Sequence, residues 1–518
     1  MNRKSIISLV LALTLMLVCF AGCGSKTSAE SAAPSATATA TPAEKVVRVG
    51  DLFANSYTSL DAQKESDGWW TSELGLTETL FVIDENGKVQ PYLAESGTTD
   101  GKVWTIKLKD NVTFSDGSKL TAAIAVKCLQ SAAAVNKKAS ALAGATLTAV
   151  DDTTFTIATT DFMPTMLNEL TTVYYSMINI DASVDIDNAP VCTGPFKVSE
   201  FKSGESVILV KNDKYWNGDV ALDKVEGYYM ADADTMSLAF QNGELDAYMG
   251  PTTNDLEIYK AAPDKYTVTS VPSSRLYYYY LNMKKLTDKD LRAAINMAID
   301  SEAVCTMLSG LATPTVGAFS ESSPYGRVTK NSYDPAKAKT LIEGLGYKLN
   351  SDGYYEKNGK IIELNIAYYA ARSIDKIVLL MQEQLNAVGI KADLTVSEDA
   401  DGTYIKTGDF DIGMYCMIAD PSGDPYYYLN RVLGGDLYTS GGYSNADASA
   451  LLKQLESETD TAKRAELAQQ MQQMIIDDEA MGFIALLNKT TVMRTGVVNC
   501  GENNPLSFYM ISSKTDIK

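Results

Sequence analysis

Residues 362–397 constrain the fold of this 518-residue chain more than any other stretch. Ile362 to Tyr369 is strand-like, Ser373 to Val388 reads as a helix capped by Ser373 and stopped by Gly389, and Ile390 to Ser397 is a second strand. Two strands joined through a helix pair in parallel, with a right-handed crossover. The chain is therefore α/β.

Helical spacing recurs from Leu281 to Tyr347. Leu291, Ile295, Ala298, Ile299 and Met307 share a face, with Asp288 or Thr287 placed to cap and Gly310 to stop. Asp334-Pro335 opens another helix, which ends at Gly344 or Gly346. Strands are expected over Val46 to Leu52, Val103 to Leu108, Thr153 to Thr159, Phe410 to Tyr415, Phe483 to Leu487 and Thr490 to Thr495. Further helices are expected over Ala122 to Ala134, Asp447 to Glu458 and Thr461 to Asp478.

The N-terminus carries an address. Arg3 and Lys4 precede an apolar run from Ile6 to Phe20, interrupted by Ser8 and Thr14. A membrane span needs about 20 apolar residues, so this shorter run suits a signal peptide over residues 1–22. Phe20-Ala21-Gly22-Cys23 resembles the bacterial lipobox, apart from Phe20, and implies a lipid on the Cys23 thiol. Residues 23–45 lack aromatics and could bury almost nothing, so they read as a disordered tether about 25 Å long on average.

Composition narrows the function. The formal charge of −20 and pI near 4.6 argue against a nucleic-acid partner, whose phosphates demand basic patches. Cys128, Cys192, Cys305, Cys416 and Cys500 are scattered without CxxC spacing, so neither a disulfide framework nor a thiolate metal site is expected. The chain has no histidine at all. That removes Ser-His-Asp and Cys-His catalysis, HExxH zinc chemistry and every imidazole ligand. Nucleophile-elbow, P-loop and dinucleotide motifs are missing too, so no enzyme and no cofactor is expected. Hydrolysis by a carboxylate pair stays open, because 65 acidic residues supply many pairs.

Five segments then appear in a telling order: GLTETLFVIDENGKVQPYLAES from Gly75, NVTFSDGSKLTA from Asn111, CTGPFKV from Cys192 with Asn212, Tyr215 and Trp216, AFQNGELD from Ala239, and TAKRAELAQQMQQMIIDDEA from Thr461. Together they resemble the extracellular solute-binding proteins of the peptide and nickel class of ABC importers, over about residues 46 to 515. The resemblance implies a two-lobed periplasmic-binding-protein fold with a hinge and an extra domain. Lobe I would comprise 46–75, 190–272 and 489–518, the extra domain 76–189, and lobe II 273–488. It also implies a monomer, lipid-anchored outside the cytoplasm, that hands a solute to a permease driven by an ATPase. A receptor or adhesin on the same fold stays open.

The solute is the finer question. YAARSID before the helix of the βαβ unit and NPLSFYMI near the end lean towards the nickel branch. Yet the chelate-binding arginine of that branch falls at Tyr174, and its indole platform at Asp420. The peptide branch carries at the Asp420 position an aspartate that meets the ligand's α-ammonium. The resemblance therefore implies a short peptide or amino-acid-like cation, with a nickel or other metal chelate as the alternative and no metal site of the protein's own. Other candidate ligand contacts are Trp69 or Trp70, adjacent aromatics of which a strand would send one to the core. Arg372 is a candidate carboxylate fork, and Arg431 and Tyr415 are further candidates. The tyrosine runs 277–280 and 426–428, read as alternating, would line a cleft with one or two rings each.

Overall fold

The computed structural model describes residues 43–51, 58–85, 87–230, 232–434, 441–501 and 509–518. The signal peptide, Cys23 and nearly all of the tether lie outside the described residues; residues 44–518 form one compact unit.

Among the described residues, eleven strands join in one mixed sheet. Its order is Lys391–Ser397, Glu363–Tyr369, Ile412–Ile418, Tyr266–Leu281, Met481–Arg494, Ala247–Met249, Val46–Asp51, Lys224–Tyr229, Ser206–Lys211 and Phe196–Lys202, with Ala312–Pro314 also paired to Met481–Arg494. The βαβ unit forms as expected: Glu363–Tyr369 and Lys391–Ser397 pair in parallel around helix Ile374–Ala387. Its start differs. Ser373 sits in the left-handed region and makes no side-chain cap bond, since a left-handed backbone turns the hydroxyl away from the first-turn amides.

Tyr266–Leu281 and Met481–Arg494 hold the two halves of the sheet together. At 16 residues, the first spans about 50 Å. Their antiparallel register slips between Pro272, opposite Asn488, and Arg275, opposite Leu487. Pro272 has no N–H to give the ladder. The Ser273 hydroxyl instead donates to Leu487 O at 2.6 Å and accepts from Arg275 N at 3.1 Å, fixing the irregularity. Phe483 to Leu487 and Thr490 to Thr495, expected as two strands, are one.

The tyrosine run 277–280 follows from the pleat. Tyr277 and Tyr279 pack into one apolar cluster under helices Lys289–Ala298, Pro335–Gly344 and Ile374–Ala387. Tyr278 and Tyr280 pack into another, on the opposite face, under Tyr426–Leu433, Ala446–Ser457 and Thr461–Asp477. Both faces are covered, so all four rings are buried, Tyr279 at the edge of an internal cavity. The run 426–428 lies on a helix rather than a strand: Tyr428 is buried and Tyr427 half exposed. The stretch 288–310 is two helices, not one. Asp288 caps Lys289–Ala298; Asp300 then accepts from the N–H groups of Glu302 and Ala303 to start Ser301–Met307.

The segment between the first strand and residue 196 builds a separate four-stranded antiparallel sheet, Ala94–Thr99, Trp104–Leu108, Thr154–Ala158 and Thr146–Ala149, covered by helix Ala122–Val135. It has its own sheet but shares its core: one apolar cluster runs from Val47 through Phe155 to Ile511. Buried Glu78 joins two of the recurring segments, accepting from Tyr92 Oη at 2.9 Å, Tyr215 Oη at 2.7 Å and Trp216 Nε1 at 2.9 Å. The Asn242-Gly243 turn is equally specified: Gly243 closes helix Ala233–Asn242 at φ +81°, and Asp246 then takes both Nε and Nη2 of Arg48 at 2.9 Å.

Candidate functional site

The site is built on the loop that follows strand Ile412–Ile418. Ile418 pairs with Arg275, Ala419 N donates to Ser274 O at 2.8 Å, and the chain turns as Gly423 N donates to Asp420 O at 2.9 Å. Gly423 adopts φ +67°, which a side chain there would disfavour. Asp424 bolts the loop down. Its carboxylate accepts from Tyr426 N and takes Nε and Nη2 of Arg464 at 3.0 and 2.6 Å, with both side chains buried. Arg464 also donates to the carbonyls of Leu455 and Glu458, so its charge is saturated inside the lobe.

Asp420 is different. It is 6 % exposed, and its Oδ1 accepts no hydrogen bond among the described residues. Burial pushes its carboxyl up to about 7; a hydrogen bond with Ser274 opposes the shift and the Asp424 charge adds to it. The capping role open to an aspartate in this sequence belongs to Asp424, which serves Tyr426 N.

The loop meets the first half of the molecule at the turn Met166–Glu169. Asn168 Nδ2 donates to Ser422 O at 3.0 Å, and Ser422 Oγ donates to Glu169 Oε1 at 3.2 Å. Burial pushes the Glu169 carboxyl up to about 7 as well, with the Asp424 charge adding to it. Beside it, the hydroxyl of half-buried Tyr174 bonds Trp69, and Tyr427 and Glu169 are near enough to hold that hydroxyl protonated, behind the larger effect of burial. Buried Asp420, half-buried Glu169 and three aromatics thus converge from three separate stretches of chain.

Two cations stand at the same end of the sheet. Half-buried Arg275 has its charge disfavoured first by burial, with Arg372 among the groups that repel it; Cys416 and Tyr369 are also close. Arg372 is exposed, and neither guanidinium has a carboxylate within 4 Å among the described residues. Arg372 and Ser373 are consecutive residues in the left-handed region, at φ +52° and +60°, and Tyr277 Oη holds the Arg372 carbonyl at 2.7 Å. Non-glycine residues adopt that conformation rarely, and such outliers concentrate at functional sites.

Three sequence candidates are committed elsewhere. Trp70 lies on helix Asp67–Glu73 rather than a strand; it is 2 % exposed and stacks on Phe201 at 6.3 Å, leaving Trp69 as the half-buried member of the pair. Arg431 pairs with Asp401 at 3.0 Å and lies 4.5 Å over the ring of Tyr415, whose hydroxyl donates to the same Asp401 at 2.7 Å. Both are therefore held to Asp401 within their lobe. Glu169 and Arg275 escape the sequence reading, because no motif surrounds them. Tyr427 belongs to the run 426–428 that the sequence offers as a cleft wall, but it stands on a helix rather than a strand. No group of three or more Cys, Asp or Glu among the described residues is arranged to hold a metal ion.

Comparison with known proteins gives the family. Residues 88–440, more than half of the chain, match the model of the bacterial extracellular solute-binding proteins, family 5, middle region. The nickel-binding protein NikA of Staphylococcus aureus is 25% identical over 454 residues, covering 86% of this chain and 90% of its own. The dipeptide-binding protein DppE of Bacillus subtilis is 25% identical over 486 residues, covering 85% and 86%. The crystal structure of a nickel ABC transporter protein from Bacillus halodurans superposes with a TM-score of 0.82 at 26% identity, over 92% of this chain and 100% of that one. On this match the chain belongs to family 5 of the bacterial extracellular solute-binding proteins, the peptide- and nickel-class substrate-binding components of ABC importers.

Proposed function

We propose that this protein captures a short peptide or amino-acid-like solute between its lobes, holding the solute's ammonium at Asp420 and delivering it to a membrane permease. The supporting observation is the buried Asp420 Oδ1 without a partner. A carboxylate taken from water and left unpaired is costly, and a cation in the cleft removes that cost. Glu169 flanks it from the opposite side, while Arg275 and Arg372 suit a carboxylate at the other end of the ligand. Trp69, Tyr174 and Tyr427 supply walls. The lobes are residues 46–75 with 190–272 and 489–518, and 273–488, with 76–189 as the extra domain. The slipped register at Pro272 and Asn488 is the hinge, and ligand contacts to both sides favour the closed form.

Calorimetry tests this with short peptides and their N-acetylated forms, which differ only in the ammonium. Free-amine peptides should bind at least about tenfold tighter, the low end for loss of a buried charge partner. Equal affinity for both forms would remove Asp420 from the site.

A second reading, binding of a nickel or other metal chelate, draws on the likeness to proteins named as nickel binders. Without histidine the protein offers mainly hard oxygen ligands, so a chelator would have to supply most of the nickel's ligands. Tight binding of free nickel to chelator-free protein would contradict both readings.

The anchor belongs to the same proposal. Cys23 is taken as the lipidated first residue of the mature chain, which would hold the protein, as a monomer, at the outer face of the cell membrane. Cys23→Ala should release the protein from membranes or leave it unprocessed. A variant that still fractionates with membranes at mature mass would contradict the anchor.

A further inference from the structure

The second lobe contains a cavity of about 350 Å3 away from the interlobe loop. Its floor includes Gly482 and Phe483, and six residues of strand, about 20 Å, separate Gly482 from Asn488 at the register slip. At the floor lies Glu479, 6 % exposed, in the left-handed region at φ +51°. Its carboxylate accepts one amide proton on each oxygen, from Asn331 Nδ2 at 2.5 Å and Asn296 Nδ2 at 2.6 Å. The Tyr279 hydroxyl donates to Asn296 Oδ1 at 2.8 Å, which fixes the amide with its N–H towards Glu479.

Glu479 forms no ion pair within 4 Å among the described residues. Arg292 lies behind it but donates to the carbonyls of Glu479, Leu286 and Asp478. Lys330 lines the same cavity, and its Nζ is saturated by Ser301 Oγ at 3.2 Å, Thr315 O at 2.8 Å and Phe483 O at 2.7 Å. The remaining charged groups on the wall are acidic: Asp300, which caps a helix, and Glu302 and Glu321, which are exposed at the mouth. A buried carboxylate solvated only by neutral amides keeps accepting capacity on each oxygen, and the lining carries four acids against one lysine. The cavity is electrostatically complementary to a cation.

We propose that this cavity binds a small organic cation bearing a primary ammonium, with Glu479 as its counter-ion. The ammonium donates to the Glu479 oxygens beside the two asparagine amides, and exposed Tyr333 covers the alkyl part at the mouth. Glu302 and Glu321 draw the cation in. The site is separate from the interlobe site and does not depend on it.

The test uses the whole protein carrying Asp420→Asn, so that the interlobe site does not compete for the probe. Titration with 1,4-diaminobutane should reveal one saturable site, and neutral 1,4-butanediol should not bind. Adding Glu479→Gln should weaken diamine binding at least about tenfold. Glu302→Gln, an exposed change that leaves the core alone, should weaken it about two- to fivefold. Should Glu479→Gln fail to fold, Glu302→Gln decides together with the side-chain amide signals of Asn296 and Asn331, which must shift on titration. Absence of saturable binding, equal binding of the diol, or affinity and amide signals that do not respond would each overturn the proposal.

Discussion

Replacing Arg464 by alanine is expected to lower the unfolding free energy by about 3–5 kcal/mol, the usual cost of breaking a buried ion pair from one side. Arg464 and Asp424 are both nearly inaccessible, and the guanidinium also serves the carbonyls of Leu455 and Glu458. Removing it strands a carboxylate and two carbonyls in the interior. Replacing Asp424 and Arg464 together by leucines should recover part of the loss, because two apolar groups leave no buried charge behind. Urea unfolding of the two variants measures both effects. A loss below about 1 kcal/mol for Arg464→Ala would mean that the pair behaves like a solvated surface bridge. The same substitution should weaken ligand binding, since Asp424 anchors the loop that carries Asp420.

The second large effect is at Asp420 itself, and it has opposite signs for stability and affinity. Burial raises its carboxyl from 3.8 to about 7 in the folded protein. An acid whose folded value is raised binds its proton more tightly folded than unfolded. Its contribution to stability is therefore most favourable below about 4 and is lost as pH rises through about 7. Asp420→Asn removes that loss, so the unliganded variant should melt higher than the parent at pH 8. Ligand affinity should fall at least about tenfold, within the range of about 2–5 kcal/mol for a desolvated charge partner. In the parent, an ammonium ligand requires the ionised carboxylate, so affinity should fall as pH drops below about 7, by up to about tenfold per unit, with proton release on binding. Glu169, pushed to the same range, titrates alongside it. An Asn variant that keeps the parent's affinity and melts lower would assign Asp420 to structure.

The βαβ unit, the caps at Asp288 and Asp334 and the terminal helix pair were legible because periodicity and capping are local properties. The role proposed for Asp420 comes from the resemblance, since aspartate beside proline and glycine is more usually a turn former. What stayed hidden depended on distant partners. The polar acceptors of Glu78's three donors lie on one carboxylate, up to 138 residues away in sequence. Nothing around Ser373 announces a left-handed backbone; the carbonyl of its neighbour Arg372 is held by Tyr277, 95 residues earlier. Tyr426 to Tyr428 resemble the strand run at 277–280, yet they form the first turn of helix Tyr426–Leu433, whose first N–H donates to Asp424. Glu169 meets the 420–425 loop only when the fold brings it to Ser422, a separation of 253 residues.

The most direct measurement is mass spectrometry of the solute released by denaturing protein purified from its own bacterium. A peptide or amino-acid-like molecule with a free amino group, present near one equivalent, is the predicted result. A metal chelate without an ammonium, or a solute that carries no positive charge, would contradict the assignment of Asp420 as the ligand's anchor.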